Sequence, residues 1–309
     1  MKLSFKLTFE LFKVLDILEL NGINAIPFKG SVLGQLAHND PLSRDFTDID
    51  LLVSGSDYFK VYQVLKHHGY EMPSSPTLST VQKEEHYRYF GEYVLVKQRS
   101  NICLDVHHRW LGGGDLLINI DFSHIWTRLE PVTIANREIL TLSPSDTLIY
   151  LCMNGLKDGW NGTKTIVDIS GIITHHPDLN WQDLLSEAHR LKIDRPIHLG
   201  LLLANHLNPD ILPEWVNQEL RSDQIAQRLS TKICRRMIHQ DKKFLHLSLL
   251  NNFSLKLLAL DNWNYRFQYL KSIPVRLFRL YIAVNHKDLE FLALPQSLHF
   301  LYPSHPCSV

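Results

Sequence analysis

The chain has 309 residues, 45% of them hydrophobic, and its 32 basic and 32 acidic side chains cancel. It can therefore bury a substantial core in one large domain or two, and it presents no global field for nucleic acid or an anionic membrane surface. The four cysteines, Cys103, Cys152, Cys234 and Cys307, stand far apart with no C-x-x-C pair, which argues against a zinc ribbon or a disulfide framework and suits a reducing cytoplasm.

The N-terminal segment MKLSFKLTFELFKVLDILEL is interrupted by charge every few residues and lacks a small-residue cleavage site, so no signal peptide is expected. No run reaches the roughly eighteen apolar residues of a membrane span, and no membrane association is expected. Phe5, Phe9, Phe12, Leu15 and Leu18 recur at helical spacing. They predict a first helix that covers a sheet with that face and stops at Asn21-Gly22.

Residues 26–28 read as the end of a short buried strand and residues 32–38 as a helix, which puts the Lys29-Gly30-Ser31 turn at a helix N-terminus. Exposed N–H groups and the positive end of the helix dipole make that turn a phosphate seat, and Gly30 lets a phosphate approach the backbone closely. A second strand follows at Asp48–Val53. Alternation puts Asp48 and Asp50 on one face and Ile49, Leu51 and Val53 toward the core. Two carboxylates on one face repel each other unless a cation lies between them, and near a phosphate seat Mg²⁺ or Mn²⁺ answers that cost. The competing reading is an ordinary D-x-D at a solvated strand end.

Ser56 or Asp57 caps a helix to about residue 68, closed by Gly69. Residues 72–80, rich in Pro, Ser and Thr, read as a loop, either a plain surface connection or a mobile lid that contacts substrate. Residues 87–97 and 102–108 read as strands joined by a hairpin-length connection at 98–101. On the second of these, Leu104 and Val106 face one way and Cys103, Asp105 and His107 the other, so Asp105 stands beside Asp48 and Asp50 if the two strands are neighbours. Of the adjacent histidines only His107 shares the face of Asp105; His108 is expected to pack, and Trp110 to fill the core.

From residue 142 the pattern is helical. Ser143-Pro144 with Asp146 marks the start of a helix toward Lys157. Further helices are expected over 160–174, with Lys164 and Asp168 at i, i+4, and over Trp181–Leu191, 196–207 and 213–237. Residues 221–279 hold twelve Lys and Arg against three acidic residues, interleaved with Phe253, Trp263, Tyr265, Phe267, Tyr269 and Phe278. That composition fits a solvated basic face or a dock for an anionic acceptor such as RNA. No P-loop, G-x-S-x-G or H-E-x-x-H run occurs, and Gly112-Gly113-Gly114 lies outside any strand-to-helix fingerprint.

Three segments carry a family resemblance: Phe28-Lys29-Gly30; Arg44 followed by Asp48-Ile49-Asp50-Leu51-Leu52-Val53; and Asp105-Val106-His107-His108-Arg109-Trp110. Together, over about residues 21–206, they resemble the uncharacterised nucleotidyltransferase family of the DNA polymerase beta-like superfamily. Its pattern is approximately L-K-G, then R-x-x-x-D-I-D-L-L-V, then acidic-x-H-x-x-W. Asn154 and Asp158 depart from it, standing where the family commonly has histidines.

The resemblance implies an α+β fold, a mixed nucleotidyltransferase-type sheet flanked by helices and followed by a helical C-terminal region. We divide it as a catalytic domain over 1–141 and a helical domain over 142–309. It also implies that Asp105 lies on a later strand of the same sheet as Asp48 and Asp50. The expected activity is metal-dependent transfer of a nucleoside monophosphate from an NTP to an acceptor hydroxyl on a small molecule, a protein or RNA. In that scheme Asp48, Asp50 and Asp105 are the catalytic and metal-binding carboxylates for Mg²⁺ or Mn²⁺, on two ions about 4 Å apart. Lys29, Gly30, Ser31, Arg44 and His107 line the nucleotide, with Arg44 offering a fork to phosphate and Lys29 alternatively supporting the turn. The resemblance brings Lys164 and Asp168 in as nucleotide or acceptor contacts, whereas their spacing by itself reads as a solvated ion pair. The alternative from another class is a catalytically idle nucleotidyltransferase fold that binds nucleotide or a protein, as in a toxin–antitoxin pair or a peptide-modification complex.

Overall fold

Leu7, Leu11, Val14 and Leu18 recur at helical spacing along α1 (Leu3–Leu20), and all four are buried. The structure, a computed structural model, describes residues 3–72, 91–113, 116–118, 120, 122–239 and 248–282. Of the expected face Leu18 is buried and Phe12 and Leu15 are half-buried, but the seam runs through Leu7, Leu11 and Val14 and leaves Phe5 and Phe9 outside it. Phe5 and Phe9 remain 38% and 47% exposed. Their rings lie 4.7 Å apart, and Phe12 meets Phe9 at 6.1 Å. Part of the reason is polar. Glu10, on the buried side, accepts a hydrogen bond from Tyr70 Oη at 2.8 Å and pairs with Lys97, which fixes the rotation of the helix. The helix stops as expected at Gly22, whose φ is +67°.

The chain divides into two compact units: Met1–Ser31, Arg44–Trp126 and Gln268–Val309 in the first, and Val32–Ser43 and Thr127–Phe267 in the second. The first unit is organised by a mixed five-stranded sheet. Its strands are β1 (Ala25–Pro27), β2 (Asp48–Val53), β3 (Tyr70–Glu71), β4 (Glu92–Lys97) and β5 (Ile102–His107), in the order β1-β2-β5-β4-β3. β2 and β5 run parallel; the other neighbours are antiparallel. A parallel pair needs a crossover, and the chain between β2 and β5 supplies it with α3 (Tyr58–Lys66), β3 and β4. Tyr58, Tyr70 and Tyr93 are buried beside the sheet, and Tyr93 Oη donates to the Tyr58 carbonyl at 2.6 Å. The turn at 98–101 closes with Asn101 at φ +52°.

In the second unit Pro144 opens a helix to Lys157, and Ser143 caps it by accepting from the Asp146 amide, as the sequence indicates. Helices follow at Lys164–His175, Trp181–Leu191 and Asp194–Leu207. The single helix expected over 213–237 is two, Glu214–Ser222 and Gln224–His239. Asp223 causes the break: its Oδ1 accepts from the amides of Ile225 and Ala226 while its carboxylate pairs with Arg195. The hairpin of Glu130–Ile134 with Arg137–Thr141 was not expected. Its signal was the two-residue turn at Ala135-Asn136, both at positive φ. Residues 73–80 of the expected loop, residues 87–90 of the expected strand, Gly114, Cys307, and the basic segment's residues 240–247 lie outside the described residues.

Candidate active site

The local pattern sets which side chains share a face, and the pairing of β2 with β5 sets which of them meet. Asp48 lies opposite Cys103, and Asp50 lies opposite Asp105. His107, two residues beyond Asp105, projects from the same face. One donor atom each from Asp50, Asp105 and His107 all fall within 4.8 Å of one another.

Asp50 is the buried centre of this group. Lys29 Nζ stands 2.5 Å from its Oδ1, and His107 Nε2 donates to the same oxygen at 3.2 Å. Burial works against ionisation of Asp50, yet the Lys29 ammonium and then the His107 bond outweigh it and hold the carboxyl well below the usual range. Asp105 has the opposite balance. Burial first, then repulsion from Asp50, push its carboxyl up to about 7. Asp48 is also raised, by burial and then by Asp50. The other ring nitrogen of His107, Nδ1, faces Glu92 Oε2 at 3.4 Å across the β4–β5 pairing.

These donors fit a small divalent cation. Two carboxylates and an imidazole converge, and Asp105 Oδ1 is buried with no hydrogen-bond partner among the described residues, so a polar atom is left for a ligand. The carboxylates expected to hold the metal are Asp48, Asp50 and Asp105. The group gathered within 4.8 Å has His107 in place of Asp48, which stands next to it on β2. The D-x-H spacing on β5 was the available signal for His107. Nothing local pointed to Glu92.

The turn before α2 (Gly30–His38) is built as expected. Gly30 has φ +56°, and a Cβ there would meet the Phe46 ring at 3.3 Å, so both conformation and space call for glycine. Ser31 Oγ is buried without a hydrogen-bond partner among the described residues. Lys29, expected to contact phosphate or support the turn, has its ammonium on Asp50. Arg44 is half-buried in the same unit. His108 packs its ring on Tyr58 at 4.4 Å, and Trp110 is buried.

Lys164 and Asp168 belong to the second unit. Lys164 is exposed, whereas Asp168 is 1% exposed and hydrogen-bonded to His38 Nε2 at 2.9 Å. Helical spacing paired Asp168 with Lys164 and could not reveal a partner 130 residues away.

A model of a family described as uncharacterised nucleotidyltransferase matches residues 2–209. No curated protein matches the chain in sequence. Among solved structures, the chain is similar to the lincomycin-bound lincosamide antibiotic adenylyltransferase LnuA, with 20% identity over 54% of this chain and 96% of that one and a TM-score of 0.36. It is similar to ANT(2'')-Ia in complex with adenylyl-2''-tobramycin, with 13% identity over 60% and 97% and a TM-score of 0.41. An antigenic nucleotidyltransferase-like protein from Paracoccidioides brasiliensis gives 16% identity over 68% and 89%, with a TM-score of 0.39. Likenesses at this level say nothing of what this chain acts on.

Proposed function

The chain belongs to the uncharacterised nucleotidyltransferase family, and from that premise we propose that it transfers a nucleoside monophosphate from an NTP, ATP in the first instance, to an acceptor hydroxyl. The observation that carries this reading is the parallel pairing of β2 with β5, which sets Asp50 opposite Asp105 and gathers both with His107 within 4.8 Å. Mg²⁺ or Mn²⁺ held by Asp50 and Asp105, with His107 or Asp48 beside them, would neutralise charge on the attacking and leaving oxygens.

The remaining work falls to the chain's own groups. The N–H groups at the Gly30-Ser31 turn and the Ser31 hydroxyl seat the terminal phosphates, helped by the helix dipole, and Arg44 offers a fork to phosphate oxygens. The acceptor oxygen bonds to the α-phosphorus, the bond from that phosphorus to the bridging oxygen breaks, and pyrophosphate leaves. The acceptor proton passes to Asp105 Oδ1, the buried oxygen with no protein partner among the described residues. Lys164 and Asp168 are carried as nucleotide contacts on the family resemblance, Lys164 being exposed and Asp168 buried. We assign catalysis to a domain over 1–141 and a helical domain to 142–309, in a cytoplasmic setting. No helix of the described residues is long and apolar enough to cross a membrane.

The test is incubation of the full chain with each α-labelled NTP, Mg²⁺ or Mn²⁺, and cell extract, asking which fraction retains label. Transfer that disappears in Asp105→Asn, by about 10²–10⁴-fold, while nucleotide still binds, is the expected result. Label retained equally by that variant, or no metal-dependent nucleotide binding by the parent chain, would overturn the reading.

A further inference from the structure

A carboxylate as enclosed as Asp50 must be paired, because its water has been removed. Its side chain is 2% exposed, and the positive charge facing it is Lys29, whose Nζ lies 2.5 Å from Oδ1. The same carboxylate offers an oxygen to the group that would hold a cation, with Asp105 and His107. An ammonium 2.5 Å from Asp50 repels a divalent cation arriving on the same carboxylate, so a metal entering the site works against the Lys29 charge.

Lys29 is suited to leaving. Its side chain is 27% exposed, so it keeps a path to water that Asp50 lacks. Ammonium is a point charge on a flexible stem, without the fixed two-pronged geometry that would tie an arginine to the carboxylate. Its backbone directly precedes Gly30 and Ser31, the turn assigned to the terminal phosphates. A triphosphate arriving with the metal brings anionic oxygens to the neighbourhood where the released ammonium is tethered. Without the triphosphate, the metal works against the Lys29 charge with no phosphate oxygens there to offset it.

We infer that Lys29 is a built-in counter-ion that competes with a divalent cation for Asp50, so that the nucleotide-free protein resists metal and takes it up together with a triphosphate. This rests on the metal-dependent reading of the site above. The coupling is reciprocal: whatever Lys29 adds to metal affinity when nucleotide is present, it adds to nucleotide affinity when metal is present.

The experiment measures Mn²⁺ binding by electron paramagnetic resonance on the full chain, parent and Lys29→Met, with and without α,β-methylene-ATP. Lys29→Met is expected to bind Mn²⁺ at least about tenfold more tightly without nucleotide, the competing charge being gone. The ratio of Mn²⁺ affinities with and without nucleotide should shrink by a similar factor. A nucleotide-free affinity that is unchanged or weaker overturns the inference.

A second measurement needs no variant: acetylation of Lys29 in the parent chain by acetic anhydride, followed by mass spectrometry, should rise on adding Mn²⁺ alone at the concentration that fills the nucleotide-free site in the resonance titration. Labelling that is indifferent to Mn²⁺ overturns the inference even if Lys29→Met fails to fold. The Asp50→Asn change separates this idea from the reading beneath it. If Mn²⁺ binds Asp50→Asn as well as the parent, the metal site itself is wrong. If Asp50→Asn abolishes binding while Lys29→Met leaves it unaltered, only the counter-ion role falls.

Discussion

Replacing Asp105 by asparagine should stabilise the metal-free protein at alkaline pH and do nothing for it in mild acid. Burial and the Asp50 charge raise the Asp105 carboxyl from 3.8 to about 7. At about 1.4 kcal/mol for each pH unit, that gap makes an ionised Asp105 cost about 4 kcal/mol. Between about pH 4 and pH 7 the folded chain keeps a proton on Asp105 that the unfolded chain has released, so stability falls as pH rises through this window. Asparagine removes the charge but leaves a buried amide incompletely bonded, at about 1–2 kcal/mol. The net gain at pH 8 is therefore about 2 kcal/mol, or about 4 °C in Tm for a chain of this size. At pH 5 Asp105 is protonated and the two proteins should melt together. Thermal unfolding by circular dichroism in chelator, across pH 5 to 8, measures this. A variant less stable than the parent at pH 8, or a gain equally large at pH 5, would refute the electrostatic account of the site. Saturating Mn²⁺ should narrow or reverse the difference at pH 8, because a ligand that the folded parent holds more tightly stabilises the parent more.

Asp50→Asn should act in the opposite sense, costing the metal-free protein about 1–3 kcal/mol because the Lys29 ammonium then faces an amide. A urea midpoint equal to the parent's would mean that the Lys29–Asp50 pair contributes nothing. The same variant should lose Mn²⁺-dependent triphosphate binding, read by calorimetry. Gly30→Ala should cost about 1–2 kcal/mol, from positive φ and from crowding against Phe46, and should weaken triphosphate binding; an alanine variant with parental stability and affinity would remove Gly30 from the phosphate seat. Glu10 has a lowered carboxyl: burial opposes this, but the Lys97 and Tyr70 hydrogen bonds prevail. Its contribution is present above its ordinary 4.5 and is lost as pH falls through the lower folded value, so Glu10→Gln should flatten the acid limb of the stability profile. An acid limb of unchanged steepness in that variant would show that α1 is held by its apolar seam alone.

Local signals in the sequence were enough to place the D-I-D strand at Asp48–Val53, the glycine turn ahead of α2, and the Ser143-Pro144 helix start, because alternation and capping act over a few residues. Which residues share a face was legible for the same reason. Which faces meet was not. The family resemblance implied that Asp105 stands beside Asp50, but only the parallel β2–β5 register makes the two opposite partners and brings His107 with them. The rotation of α1 that leaves Phe5 and Phe9 exposed, the Lys29–Asp50 pair and the bond from His38 to Asp168 likewise depended on tertiary structure. Lys29 and Asp50 are 21 residues apart, and His38 and Asp168 are 130 apart. At such separations no backbone periodicity relates two side chains. The carboxylates even depart in opposite directions from their usual ionisation, Asp50 downward and Asp105 upward, because burial and charge depend on distances through space that strand spacing does not contain.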